Sequence, residues 1–439
     1  MLGIGSAFPA QAACPVLPAS HQTAVAEDNR TTGSSGTTRS PSISPGIIPA
    51  DPRHYVAYQI KMTRQVPVPD AHDLRVGSFQ TGLTRSTPGA LLEELSTSGS
   101  AQAQQVAETV QQVRPDVLLL SGIDVDEGAE VAQALRDNYL SVGTELTPGI
   151  DYPYAYVAPV NTGVDTGADL DDDGLIGGPG DAYGYGDFPG QAGMMLFSRH
   201  PLQSDQARTF QDFKWKDMPG AALPEEQFTE LETSVLRLST ASHWDVPVEV
   251  DGHTIHLLAS APADPSTAPA GPARNHDEVR FWADYISGAP YPVDDDGDTG
   301  GLTAGSDFVV LGSLGADPQS AVGAAPGTID HLLDLPEVQD TEPTSRGTLL
   351  AQTRQDTAVV RNPEGERVTA RVDYVLPSTT LTAAGSGVFW PAVSQTGSSS
   401  MGPTPLQSSI PDDPGATAQG GSSPSTDHRL VWVDITPGS

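Results

Sequence analysis

Asp427 and His428 stand just ahead of Leu430-Val-Trp-Val-Asp-Ile435, an apolar run that alternates with the period of a half-buried strand. A carboxylate and an imidazole side by side at a strand end can bind a cation or take part in proton transfer. A second acidic group lies in residues 169–174. There Asp169, Asp171 and Asp173 take positions 1, 3 and 5 of a loop whose sixth residue is Gly174. Oxygens two residues apart on a tight turn converge on one ion, as in the opening of a calcium loop. The twelfth position is Gly180, not the bidentate Glu of an EF-hand, and Asp181 follows. Two readings stay open for this loop: a structural Ca²⁺ site, or a solvated acidic turn.

Other polar residues read as structural. Asp294-Asp-Asp-Gly-Asp298 has its glycine too early for a calcium loop. His243, His253, His256 and His276 read as satisfied histidines, with His276 opening a helix under an Asn275 cap. Ser198 and Ser313 lack a His-Asp relay at recognisable spacing. The glycines from Gly174 to Gly193 precede no Gly-Lys-Ser/Thr, so they form no phosphate loop.

The elements that must hold these groups follow from periodicity. Residues 74–79 alternate as a strand, residues 102–113 carry Val106, Val110 and Val113 at helical spacing, and residues 115–120 are a continuous apolar run. Residues 129–139 read as a second helix. Later strands are expected at 155–159, 193–198, 246–250, 254–260, 308–312, 372–376, 387–390 and 430–435, with helices at 277–286 and 329–333. Strands interleaved with helices, followed by strand-rich stretches, predict a layered α/β domain. Residues 165–190 read as a Gly/Asp loop.

Residues 1–14 end in Gln-Ala-Ala-Cys14 and read as a remnant secretory signal, with Gln11 where a lipoprotein box wants an aliphatic residue. Residues 15–53, rich in Ser, Thr, Gly and Pro, read as a disordered leader. A strand is expected at 54–62. The domain is placed at 54–436, with a disordered Ser/Gly/Pro insertion at 394–426 looping out between neighbouring strands. The chain has 22 basic and 56 acidic residues and a formal net charge of -34. That balance argues against generic binding to a nucleic-acid backbone, which works through Lys and Arg displacing counterions. It reads as the solvated surface of a secreted or salt-adapted protein, and the expected location is secreted or cell-surface. Cys14 is the single cysteine, so no intrachain disulfide forms. No apolar run is long enough to span a membrane.

From Leu74 to Ile435 the chain resembles secreted actinobacterial members of the endonuclease/exonuclease/phosphatase superfamily. The resemblance rests on ordered stretches: Pro115-Asp-Val-Leu-Leu-Leu120, Ala158-Pro-Val-Asn-Thr-Gly163, Asp169-Leu-Asp-Asp-Asp-Gly174, Phe188-Pro-Gly-Gln191 and Arg208-Thr-Phe-Gln-Asp-Phe213. It continues through Ser242-His-Trp-Asp-Val-Pro247, Arg274-Asn-His-Asp-Glu278, Arg371-Val-Asp-Tyr-Val375 and Asp427-His428. It implies a four-layer α/β sandwich, with two mixed β-sheets face to face and helices outside. It also implies a Mg²⁺-dependent phosphoric ester hydrolase.

The chemistry that the resemblance implies is mostly missing from the residues. Where the family places an Asn after the first strand, this chain has Gln80; where it places the metal-binding Glu, Gly122. The middle-strand His is Ala261. The Asp and Asn of a Gly-Asp-x-Asn turn are Ser313 and Gly315. Asp427 and His428 alone remain of the seven. The implied Mg²⁺ site is therefore read as lost, and three small replacements predict a more open pocket. The expected function is that of a catalytically degenerate member with a binding or structural role, its partner unknown. The alternative is a residual metal-dependent phosphodiesterase or phosphatase that recruits Asp124 and Asp317 beside Asp427 and His428.

Overall fold

Leu74–Leu83 (β1) and Val117–Ile123 (β2) lie side by side as parallel strands. Every residue of β2 is buried. Val117 and Leu119 enter one apolar cluster, Leu118 and Leu120 another, because successive side chains on a strand point to opposite faces. The continuous apolar run is thus a strand covered on both sides, as its sequence predicts.

The computed structural model describes residues 66–144, 147–265, 270–319, 322–345, 355–389 and 426–437. The expected signal remnant, the leader, the strand at 54–62 and the insertion up to residue 425 lie outside the described residues. The next strands are Tyr154–Tyr156 (β3), Gly193–Ser198 (β4), Arg208–Thr209 (β5), His243–Val250 (β6), His253–Ser260 (β7) and Asp307–Ser313 (β8). Ala358–Arg361 (β9) and Arg367–Ala370 (β10) form a hairpin, followed by Asp373–Pro377 (β11), Thr382–Phe389 (β12) and Leu430–Thr436 (β13). The helices are Ala90–Leu95 (α1), Ala101–Val113 (α2), Glu130–Leu135 (α3), Glu230–Val235 (α4), Gly271–Ile286 (α5) and Asp330–Leu333 (α6).

Two mixed sheets carry the fold. One has the order β12-β13-β1-β2-β4-β3, the other β11-β8-β7-β6-β5. In each, one pair is parallel, β1 with β2 and β7 with β8. Val76, Val117, Leu119, Leu196 and Val433 from the first sheet share a core with Val246, Leu257, Val309, Leu311 and Val375 from the second. The outer face of the first sheet packs Leu118, Leu120 and Phe197 against Val106 and Val110 of α2. The outer face of the second packs Leu258 and Val310 against Val279 and Trp282 of α5 and Leu332 of α6. The result is the four-layer sandwich that the sequence resemblance implies.

Local chemistry sets the helix ends. Ser100 caps α2 by accepting the Ala103 N–H at 3.2 Å, and Arg114 closes it at φ 57°. Thr229 and Glu232 form a reciprocal capping box that starts α4. Helix α5 opens at Gly271, not at His276, because Pro272 occupies its first turn. Asn275 is therefore no cap: it is buried within the helix and donates through Nδ2 to the carbonyls of Ala263 and Leu314.

One ion pair joins the first sheet's earliest and latest strands. Arg75 on β1 meets Asp434 on β13 through two bonds of 2.6 and 2.7 Å, both groups buried, with the guanidinium 4.1 Å from the Trp432 ring centroid. Replacing Asp434 by Ala leaves a buried cation without its partner, so urea unfolding is expected to show a loss of about 3–5 kcal/mol. The joint change Arg75→Met with Asp434→Leu is expected to recover most of it, since two apolar groups need no partner.

Candidate functional site

Strand direction gathers the seven positions at one end of the sandwich. Gln80 lies near the C-terminal end of β1, Gly122 at that of β2, Ala261 just after β7, Ser313 at the end of β8 and Gly315 two residues on. Strand β13 runs antiparallel to β1, and β11 antiparallel to β8. The residues that enter those strands, His428 and Asp373, therefore return to the same end, and Asp373 is the register partner of Ser313.

His428 turns inward and Asp427 outward, as neighbours on extended backbone do. Nδ1 of His428 donates to the Asp373 carboxylate, 2.9 and 3.0 Å from its two oxygens, across the gap between the sheets. Asp373 is fully buried, and its own N–H donates to Thr357 Oγ1. Burial works against the charged imidazole of His428, but the Asp373 carboxylate, with help from Asp427, outweighs it and raises the pKa above its usual value. The Asp427 carboxylate is 57% exposed and pairs with Arg367 of the β9–β10 hairpin at 2.9 Å. The Asp-His pair read from the sequence is thus split between two environments.

The positions where the sequence departs from the expected pattern lie close to neighbouring side chains. At Gly122 the register of β2 slips against both neighbours and φ is +58°, a region that suits glycine. The Gln80 amide lies across this residue, where a Cβ on 122 would collide with it, and its Oε1 accepts the Gly82 N–H at 3.0 Å. A Cβ on Gly315 would come within 2.9 Å of Asn275 Nδ2. Ala261 packs against the core between the sheets. At both glycines the end of a neighbouring amide side chain lies where a Cβ would be placed.

Nearby acids hold backbone. Asp124 accepts the Arg85 N–H at 2.8 Å on one oxygen and the Ala192 N–H at 3.1 Å on the other, and burial raises its pKa. Asp317 accepts the Gln319 N–H at 2.9 Å, and burial likewise raises its pKa. Glu278, which sequence reasoning did not single out as a site residue, is pushed up to about 7 by burial, with Arg274 pulling the other way. It accepts the N–H groups of Thr240 and Ala263 and so fixes the turn after β7. His243 is held by Ser239 and the Glu278 carbonyl, and burial lowers its pKa to about 4, as suits a structural histidine.

Among the described residues, Asp169, Asp171 and Asp173 are the one group of three acidic or histidine side chains with ligand atoms within 4.8 Å of one another. Asp169 accepts the Gly174 N–H at 3.0 Å, and Asp173 the Leu175 N–H at 2.7 Å, which curls the turn. Asp181 closes the loop from inside, taking the N–H groups of Leu170 and Gly177 at 2.7 and 2.9 Å. The later acidic run serves the fold: Asp294 pairs with Arg208 at 2.6 Å, and Asp295 takes the Thr209 hydroxyl and the N–H groups of Gln211 and Asp212.

The sequence profile of the Endonuclease/Exonuclease/phosphatase family matches residues 92–428, from α1 to the histidine ahead of β13. This chain belongs to that family. No curated protein matches it. Among solved structures it is similar to an endonuclease/exonuclease/phosphatase from Beutenbergia cavernae, at 15% identity and TM-score 0.47, over 84% of this chain and 72% of that one. It is also similar to sphingomyelinase C from Streptomyces griseocarneus, at 14% identity and TM-score 0.43, over 82% of this chain and 99% of that one. A mannosyl-6-phosphatase from Bacteroides thetaiotaomicron overlaps at 9% identity and TM-score 0.43, over 82% and 99%. Overlaps this loose transfer no activity to this member of the family.

Two measurements probe the site. Folding strengthens the hold of His428 on its proton. The pair therefore contributes fully below the unfolded value near ~6.5 and fades as pH rises through the folded pKa. NMR titration is expected to place the His428 imidazole above that value, and Asp373→Asn to bring it down; an unmoved midpoint would contradict the pairing. Separately, Gly122→Glu forces a side chain onto the Gln80 amide at positive φ, and thermal melts are expected to show a loss of roughly 1–3 kcal/mol.

Proposed function

We propose that this member of the family is catalytically degenerate, exported, and retained for a binding or structural role. The observation that carries this reading is Gly122 itself, at positive φ with the Gln80 amide lying over it, which gives the position of the metal-binding carboxylate no side-chain oxygen of its own. A family-type Mg²⁺ ion needs hard oxygen ligands in near-octahedral array. The residues present do not fit it. Both Asp124 oxygens are engaged by backbone N–H groups, the Gln80 oxygen is turned onto Gly82, and Asp427 faces Arg367.

What remains can bind but is poorly equipped to activate water. His428, whose pKa the Asp373 carboxylate raises, offers an imidazole donor at the end of the sheets in a strongly acidic protein. Among the described residues, the carboxylates beside it are engaged, Asp373 by the imidazole and Asp427 by Arg367, while Ser313 and Gly315 supply none. Losing several groups that act as a unit is not repaired by one survivor.

Hydrolysis of bis(p-nitrophenyl) phosphate with Mg²⁺, Mn²⁺ or Ca²⁺ tests the reading. Turnover at the level of the metal-free blank is expected. Metal-dependent turnover that vanishes in His428→Ala would establish the residual phosphodiesterase reading instead. Export is part of the proposal, in keeping with the acidic surface, and fractionation of cells making the full chain checks it; recovery from the cytosol alone would overturn it.

The acidic loop enters the proposal as a structural Ca²⁺ site, supported by the convergence of Asp169, Asp171 and Asp173 on a turn already curled by their own hydrogen bonds. Calorimetric titration of the parent with Ca²⁺ is expected to give heat that Asp171→Ala abolishes. A parent that gives none removes the loop from the proposal.

A further inference from the structure

His276 and His331 are 55 residues apart in sequence, yet their Nε2 atoms face each other at 2.9 Å across the junction of α5 and α6. The rings meet edge to face, with centroids 4.7 Å apart and planes at 82°. Nδ1 of His276 lies 3.0 Å from Oδ1 of Asp277. That carboxylate is fully buried, and its other oxygen accepts the Trp215 indole N–H at 2.7 Å and the Ala222 N–H at 2.6 Å. Burial opposes its charge, but the hydrogen bonds from His276, Trp215 and Ala222 prevail and its pKa is lowered, so it stays an acceptor.

The tautomer follows from this. With the proton of His276 fixed on Nδ1 by Asp277, the neutral ring presents its Nε2 lone pair outward. His331 must then donate from Nε2, because two facing lone pairs would repel. Nothing in a helix pair requires two imidazole nitrogens to converge in this way. A carboxylate behind one ring nitrogen with the opposite nitrogen free is, however, how proteins orient histidines that bind metals.

We propose that His276 and His331 form a binding site for a borderline transition-metal ion of the Zn²⁺ class, distinct from the family's phosphoester site. The two Nε2 atoms are the protein ligands, and water or an exogenous donor completes the coordination. Two Zn–N bonds of about 2.0–2.1 Å at a tetrahedral angle set the nitrogens about 3.3 Å apart. The nitrogens need to part by only a few tenths of an ångström, with the rings tilting so that both lone pairs meet at the ion. On binding, His331 moves its N–H from Nε2 to Nδ1, so both imidazoles stay neutral and no proton leaves the protein.

The surroundings permit a cation. The His276 side chain is 24% exposed, which leaves a path for an ion and for solvent ligands. Asp277 and Asp284 bring negative charge to the pair. Arg280 opposes it, but its guanidinium is drawn onto Asp277 at 3.5 Å, Asp284 at 3.8 Å and the Pro219 carbonyl. Imidazole donors favour zinc, copper and nickel over Ca²⁺ and Mg²⁺, which take oxygen. An ion here would clamp α6 to α5 at the outer face of the second sheet.

Calorimetric titration of the full chain with ZnCl₂, in excess Ca²⁺ to fill the acidic loop, tests the site. The parent is expected to show a zinc-binding event that His276→Gln and His331→Gln each weaken at least tenfold. His428→Gln, at the other site, is expected to leave that event intact. Parent-like zinc stoichiometry and affinity in both Gln variants would overturn the proposal. Should those variants fail to fold, X-ray absorption at the zinc edge of the loaded parent decides. Two imidazole nitrogens around the metal support the site, and oxygen neighbours alone overturn it.

Discussion

The contact between Arg75 and Asp434 is the constraint on which the rest of the first sheet hangs. It joins residues 359 positions apart, and it lies where the first described strand pairs with the last. Loop-closure entropy for so long a segment is large, although it grows only slowly with length. A bidentate guanidinium–carboxylate pair with Trp432 on its face is well suited to fix the register of that pairing. Register decides the candidate site here, because a shift of one residue between β1 and β13 would swing His428 away from Asp373. The ladder also extends the central β1–β2 pair toward β12, so the core between the sheets depends on the same alignment.

At the end of the sandwich where family members would do chemistry, buried polar groups are spent on architecture. Asp124, Asp317 and Glu278 each accept backbone N–H groups from loops that leave the strands. Such groups persist in a low-dielectric interior only when their lone pairs are used. A carboxylate with both oxygens engaged in this way is a poor ligand, since taking up an ion would strip N–H groups of their partners. These loops are therefore held by residues other than those at the seven family positions. The Gln80 amide over Gly122 belongs with these: it fills volume and bonds to Gly82.

Much of the fold is readable in the chain, and the exceptions have physical reasons. The strand at Gly193–Ser198 and the four-residue run from Val117 stand out because burial on one or both faces leaves a strong pattern. Helix α4 hides because it is a single exposed turn or so, although Thr229 and Glu232 at capping-box spacing do mark its start. The β9–β10 hairpin is missed despite Asn362-Pro-Glu-Gly365 between two short apolar segments, since both strands are only four residues long and partly exposed. Pro272 is the overlooked signal at the start of α5, and taking Asn275 for a cap cost five residues of helix. At the site, Asp427 and His428 are adjacent in sequence, but only strand geometry separates their environments. The His276–His331 pair leaves no trace in the sequence at all, because it arises from packing between two helices.

Phe389 and Leu430 are register partners on adjacent antiparallel strands, so the chain leaves β12 and re-enters β13 within one strand spacing, about 5 Å. Polypeptide of almost any length or composition can be spliced between them without unpairing either strand. This chain thus carries a doorway at this corner, through which an engineer can pass an extra module and have it tethered near His428.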